Sequence, residues 1–250
     1  MKNNNSGFSL AELLVAIGIG AVVSTAIASL IVLSLRMYSK ESVNAGMQYE
    51  LQTTLNEFVD AIQSSEGLII QNAVSPTLPS GSNQYTSYVM LGHFDVNNAT
   101  AGTYDFYGDI FYVDQTAGYD PLATGKFDIY KLHIPEADKI TATMGAGLVT
   151  AAASVGGGMA ADKKHLLSKD CTKFLLNVGS DILDDSVSPK VFTNPISLDI
   201  HLTFEKSPRG VNISAIKRNV DDQARMRNRV KVPIVVGDET GTTTYIMKKE

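Results

Sequence analysis

Apolar residues fall along this chain in three patterns, and each predicts a different element. From Leu13 to Leu35 there are 23 consecutive residues without a charge. As an α-helix at ~1.5 Å per residue they span about 35 Å, enough to cross a hydrocarbon core of ~30 Å. Past Arg36 the pattern becomes one-sided. Met47, Leu51, Leu55, Phe58 or Val59, and Ile62 recur at three- and four-residue steps, while Asn44, Gln48, Gln52 and Asn56 fill another face. One helix is therefore expected from about Phe8 to about Glu66, with Gly67 as its stop signal. Gly18 and Gly20 weaken its first half by up to ~1 kcal/mol each relative to alanine.

Beyond the helix the period shortens to two. The stretch NAVSPTLPSGSNQ reads as a loop rich in proline, serine and glycine. YTSYVML, DIFYVD and KFDIYKLHI then read as short strands. The cleanest alternation runs from Ile196 to Glu205: Ile196, Leu198, Ile200, Leu202 and Phe204 on one face, Ser197, Asp199, His201, Thr203 and Glu205 on the other. SPRG follows as a turn, and Val211, Ile213 and Ala215 alternate again, which predicts a hairpin. An antiparallel sheet laid on the striped half of the helix buries both, so the expected class is α+β. The glycine- and alanine-rich segment 141–161 reads as a mobile loop or insertion.

Composition narrows the function. A net charge of -5 over 250 residues argues against a general nucleic-acid binder. The single cysteine, Cys171, rules out an intrachain disulfide and reads as a core residue. His93, His133, His165 and His201 are scattered without metal-ligand spacing, and Asp95 to Thr100 lacks the density of a calcium loop, so no metal or other cofactor is expected. No nucleophile elbow, phosphate loop or paired cysteine motif is present, so the chain is not read as an enzyme. Lys217, Arg218, Arg225, Arg227, Arg229 and Lys231 form the basic cluster. If extended, Arg225, Arg227, Arg229 and Lys231 share one face and could contact phosphates. Asp221 and Asp222 lie close by, and charges on an edge strand also guard against aggregation, which is the favoured reading.

Glu12 is the residue that separates three readings of the apolar segment. A charge at the centre of a membrane helix costs roughly 2.5–3.5 kcal/mol, less near the edge. A plain signal anchor gives this carboxylate no purpose. A secretory signal cut after Ala26-Ile27-Ala28 would leave the apolar run continuing through Leu35. A cut between Gly7 and Phe8 would instead create a positive terminus about one helical turn from Glu12, near the positive end of the helix dipole.

Gly7-Phe8-Ser9-Leu10-Ala11-Glu12-Leu13-Leu14-Val15, after a short polar leader with Lys2, resembles the class III signal of type IV pilins and type II secretion pseudopilins. The resemblance implies cleavage by a prepilin peptidase after Gly7 and N-methylation of Phe8. It also implies that Glu12 neutralises the terminus of an adjacent subunit during assembly. Ala11 stands where the family more often has a bulky aliphatic. More loosely, LLSKDCTKFLLNV before a regular strand, then RMRN, resembles the PilW/PulJ type of minor pilin over residues 165–230, although 22 residues follow Asn228 here. The implied organisation is a leader at 1–7, a membrane and assembly helix at 8–35, an amphipathic continuation at 36–66 and a β-rich, pilin-like head at 67–250. The implied function is a minor pilin, structural in role, held in the cytoplasmic membrane and then carried into an extracellular pilus or pseudopilus. Its implied partners are other pilin subunits, the prepilin peptidase, the assembly platform and the membrane. A J-type pseudopilin of a type II secretion or competence filament is the alternative, and a DNA- or ligand-binding tip adhesin a further one.

Overall fold

A computed structural model describes residues 9–74, 84–98, 103–113, 126–143, 164–178, 183–184, 191–192, 197–208, 214–227, 232–237 and 243–248. Helix α1 runs from Leu10 to Ser64 over 55 residues. The chain divides into two compact units, Met1–Gly46 with Ser207–Ile216, and Met47–Lys206 with Lys217–Glu250. In the first unit, the apolar side chains of α1 are exposed, among them Leu13, Ile17, Val22, Ile31 and Leu35. This stretch is long and apolar enough to cross a membrane, with a mean hydropathy of 2.4 in its best window. Its hydroxyls turn inward: Thr25 Oγ1 donates to Ala21 O and Ser29 Oγ to Thr25 O, each at 2.8 Å. Both groups are thus satisfied within the helix, as a hydrocarbon surrounding requires.

In the second unit α1 becomes a core element. Met47, Leu51, Thr54, Leu55, Phe58, Ala61 and Ile62 are buried. Val59 is only half-buried, so Phe58 is the core position of that pair. The Phe58 ring lies 4.2 Å from Phe111 and 5.2 Å from Phe174, centroid to centroid. The helix ends on serine hydroxyls, with Ser64 Oγ donating to Asp60 O and Ser65 Oγ to Ile62 O, each at 2.8 Å. The second of these takes a carbonyl, Ile62 O, that the last turn leaves without a helical partner.

The strands are β1 (Gly67–Val74), β2 (Gln84–Asn98), β3 (Thr103–Val113), β4 (Phe127–Ile134), β5 (Ile140–Thr143), β6 (Lys164–Val178), β7 (Leu183–Asp184), β8 (Val191–Phe192), β9 (Ser197–Lys206), β10 (Ile216–Arg225), β11 (Val232–Gly237) and β12 (Thr243–Lys248). The main sheet has the order β10-β9-β6-β4-β3-β2-β1-β12-β11, with β5 added on β3, and β7 pairs with β8 separately. The architecture is α+β: one long helix packed on an antiparallel, curled sheet.

Both faces of the central strands are apolar. Ile70, Val89 and Phe111 lie in register on the helix side. Ile69, Met90, Ile110 and Leu132 point the other way and join Tyr88, Phe94, Phe106 and Ile134 in a second buried cluster. A strand buried on both faces reads as an apolar run rather than an alternation. That explains why β1, with Leu68-Ile69-Ile70, lies partly inside the loop expected from residue 72. Gly92 and Gly108 face each other across β2 and β3. A Cβ on Gly92 would stand 2.3 Å from Tyr107 O, and Gly108 has φ +146°. Only glycine permits this backbone approach.

The curl is held by a small buried network. Leu176 N donates to Thr86 Oγ1 at 2.8 Å, Thr86 Oγ1 donates to Asn72 Oδ1 at 2.7 Å, and Asn72 Nδ2 donates to Leu176 O at 3.2 Å. Side chains of β1 and β2 thus serve one β6 residue as a neighbouring strand would.

Two expectations need correction. The strand after the turn is β10, starting at Ile216, whereas Ala215 is exposed and outside any strand. Val211 and Ile213 lie outside the described residues. At the edge of the sheet, β10 has no second neighbour among the described residues and little to bury, so its polar sequence carries no alternation. The segment 141–161 does not begin as a loop: Thr141, Ala142 and Thr143 belong to β5, while 144–161 lies outside the described residues.

Candidate functional site: the start of the helix

The amino-terminal end of α1 is closed by its own side chains. Ser9 is non-helical, and Leu13 N donates to Ser9 O at 3.1 Å to make the first helical bond. Glu12 N donates to Ser9 Oγ at 3.2 Å, and Ser9 N donates to Glu12 Oε2 at 2.9 Å. This reciprocal pair is a capping box, which satisfies two amides that a helix start leaves without partners. Sequence reasoning assigned Glu12 a charge-pairing role and passed over this one. The signal was present as Ser9-Leu10-Ala11-Glu12 directly before the apolar run. Gly7 and Phe8 lie outside the described residues.

Residues 2–28 match the family model of the prokaryotic N-terminal methylation motif. The chain carries the class III signal of type IV pilins. No curated protein and no solved structure matches it. The motif, followed by a long apolar helix, supports a type IV pilin-like or pseudopilin protein, structural rather than enzymatic in character. It implies contact with other pilins and with a prepilin peptidase, and it fits an anchored precursor that later enters a surface filament.

Carboxylates farther along α1 tie it to the sheet. Glu50 accepts from Lys169 N at 2.8 Å and Ser168 Oγ at 3.0 Å on β6, and pairs with Lys206 on β9. Beside this contact the pairing of β6 with β4 is irregular between Ser168 and Cys171, and Asp170 has φ 59°. Burial pushes the Glu50 carboxyl up, but Lys206, the Lys169 amide and the Ser168 hydroxyl together hold it below the ordinary carboxylate range. One register step of seven residues on, Glu57 meets Lys131 Nζ at 2.5 Å, and Asp109 lies 3.3 Å from the same ammonium. Burial lowers the Lys131 pKa, but Glu57 and Asp109 outweigh that and raise it. Both glutamates border the buried stripe, which is where sequence could have revealed them.

The other sequence candidates are dispersed. Arg225 is the last residue of β10 and Arg227 lies just beyond it, both exposed, with Met226 buried between them. Arg229 and Lys231 lie outside the described residues. On the neighbouring strand His201 Nδ1 stands 2.6 Å from Asp221 Oδ1, and Gln223 Nε2 donates to Asp199 Oδ1 at 3.0 Å. Acids therefore interrupt the basic run on the same strand. His93 Nδ1 lies 3.1 Å from Glu66 Oε2 and His133 Nδ1 2.7 Å from Asp109 Oδ1, whereas His165 is exposed. Cys171 is fully buried, and burial pushes its thiol up to about 12.

Proposed function

We propose that this chain is a minor pilin of a type IV pilus, of the PilW/PulJ type, made as a prepilin and cut between Gly7 and Phe8. Phe8 becomes the methylated terminus. Residues 8–35 hold the protein in the cytoplasmic membrane as a single pass and then pack it into the filament. Residues 36–66 carry the helix into the head, which residues 67–250 complete. The methylation motif over residues 2–28, which takes in the first turns of the exposed apolar helix, carries this reading.

In this reading Glu12 acts twice. As the third residue of the helix it closes the capping box with Ser9. As a charge it meets the ammonium of an incoming neighbour, an interaction favoured where water is excluded. The mass of the native amino terminus tests the reading. A chain starting at methylated Phe8 is expected. A chain starting at Ser29, or one retaining residues 1–7 in the filament, refutes it.

A further inference from the structure

A carboxylate in the head stands between an amine and an amide. Asp105, on β3, has a side chain only 5% exposed. Its Oδ1 accepts from Asn97 Nδ2 on β2 at 2.7 Å and from Thr141 Oγ1 on β5 at 2.6 Å, while its Oδ2 lies 2.5 Å from Lys139 Nζ. The adjoining strand positions carry the buried Phe106 and the partly buried Tyr104 and Ile140. Asp105 is therefore fixed by three strands and shielded from water, with a primary amine on one oxygen and a primary carboxamide on the other. Lys139 is 47% exposed at its side chain, so its ammonium can move against that fixed carboxylate.

We propose that Lys139 and Asn97 condense into an intramolecular isopeptide bond, with Asp105 as the proton carrier. Asp105 takes a proton from the Lys139 ammonium across their existing hydrogen bond. The freed Nζ attacks Asn97 Cγ, forming the Nζ–Cγ bond. The Cγ–Nδ2 bond breaks as Asp105 returns its proton to the departing nitrogen. The products are a secondary amide and ammonia, which takes up the second proton released from Nζ, and Asp105 ends as the carboxylate it began as. No oxidant, metal or co-reactant is required. The carboxylate lies within hydrogen-bond reach of both nitrogens, the geometry that general acid–base catalysis needs. A lysine amine is a competent nucleophile once deprotonated. Holding amine, amide and carrier together replaces a bimolecular encounter. At rest Lys139 and Asp105 form an ion pair, and the reactive arrangement is the minor one with the proton transferred. A reaction that occurs once per molecule tolerates that slow rate. The bond would tie β2 to the start of β5 across β3, fastening one corner of the sheet covalently in a chain that has one cysteine and no disulfide.

Intact mass and a tryptic digest of the full-length chain, purified in detergent, test this. The expected mass is that of the mature polypeptide less one ammonia. Cleavage after Lys139 should be lost, and a branched peptide joining Asn97 to Lys139 should appear. Lys139→Arg, which keeps a cation beside Asp105, and Asn97→Ala, at an exposed side chain, should each restore the full mass. An undiminished wild-type mass with normal cleavage after Lys139 overturns the proposal. So does an ammonia loss that persists in Lys139→Arg, which marks a succinimide. Loss of water instead of ammonia overturns it too, because it assigns the bond to Asp105.

Discussion

Replacing Thr86 with valine removes one oxygen from the buried network that closes the curl and leaves the shape almost unchanged. Thr86 is 0% exposed and Asn72 2%. The hydroxyl accepts from Leu176 N and donates to Asn72 Oδ1. Without it the Leu176 amide and the Asn72 carbonyl oxygen lose these bonds in a site closed to water. A buried polar group left without a partner loses about 1–3 kcal/mol, so two give roughly 2–4 kcal/mol after incomplete relaxation. The added valine methyl returns about 0.8 kcal/mol of burial. The net expectation for Thr86→Val is a loss of about 1–3 kcal/mol. With an m-value of about 2 kcal/mol/M, the urea midpoint falls by roughly 1 M. The assay is a urea titration of the full chain in detergent, followed by the near-ultraviolet signal of its tyrosines. Thr86→Ser keeps the hydroxyl and should lose less than valine does. A valine variant as stable as wild type, or a serine variant less stable than it, would refute the assignment of the closure to this hydroxyl.

Substitutions at the helix start should separate its two roles: Glu12→Gln retains a capping acceptor and helix content but enters filaments poorly, whereas Ser9→Ala retains the charge and enters them better than Glu12→Gln. Counting subunits in purified filaments by immunoblot checks this, and equal incorporation of all variants would contradict it. Glu50 is held below the ordinary carboxylate range in the fold, against burial, by Lys206, Lys169 and Ser168. Its stabilisation is therefore complete above the unfolded value, near 4.5, and is lost as pH falls through the lower folded one. The melting temperature should drop on that acid limb, and Glu50→Gln should flatten it. Gly108→Ala places a Cβ 2.4 Å from Leu91 O at φ +146°, and should destabilise the head by about 2–4 kcal/mol in the same urea assay.

The elements legible in the sequence are those whose surroundings differ on their two sides. The stripe from Met47 to Ile62 separates core from solvent and lies where the pattern placed it. The apolar face of β9 does too, although Ser197 and Thr203 on its expected wet face are buried and Asp199, His201 and Glu205 only half-exposed. β1 was missed because a strand sandwiched between two apolar layers has no polar side to mark it. β10 was misplaced for the opposite reason, since an edge strand with exposed Lys217, Arg218, Asn219 and Asp221 has little apolar side to mark it. The motif at the start of the chain was readable because its chemistry is local, packed into residues adjacent in sequence. The Glu50 contacts were not, because their partners Ser168, Lys169 and Lys206 lie far along the chain and meet it only through folding, and the Asp105 contacts depend on strand register that no local pattern encodes.

The pairing of β1 with β12 brings Ile69 opposite Ile246 and so joins the strand leaving the helix to one far along the chain. Synthesis is vectorial, and contacts distant along the chain form late and slowly. That side of β1 must therefore wait for β12. An emerging polypeptide would hold one bare hydrogen-bonding edge until β12 arrives, and removing β12 would leave that edge open for good.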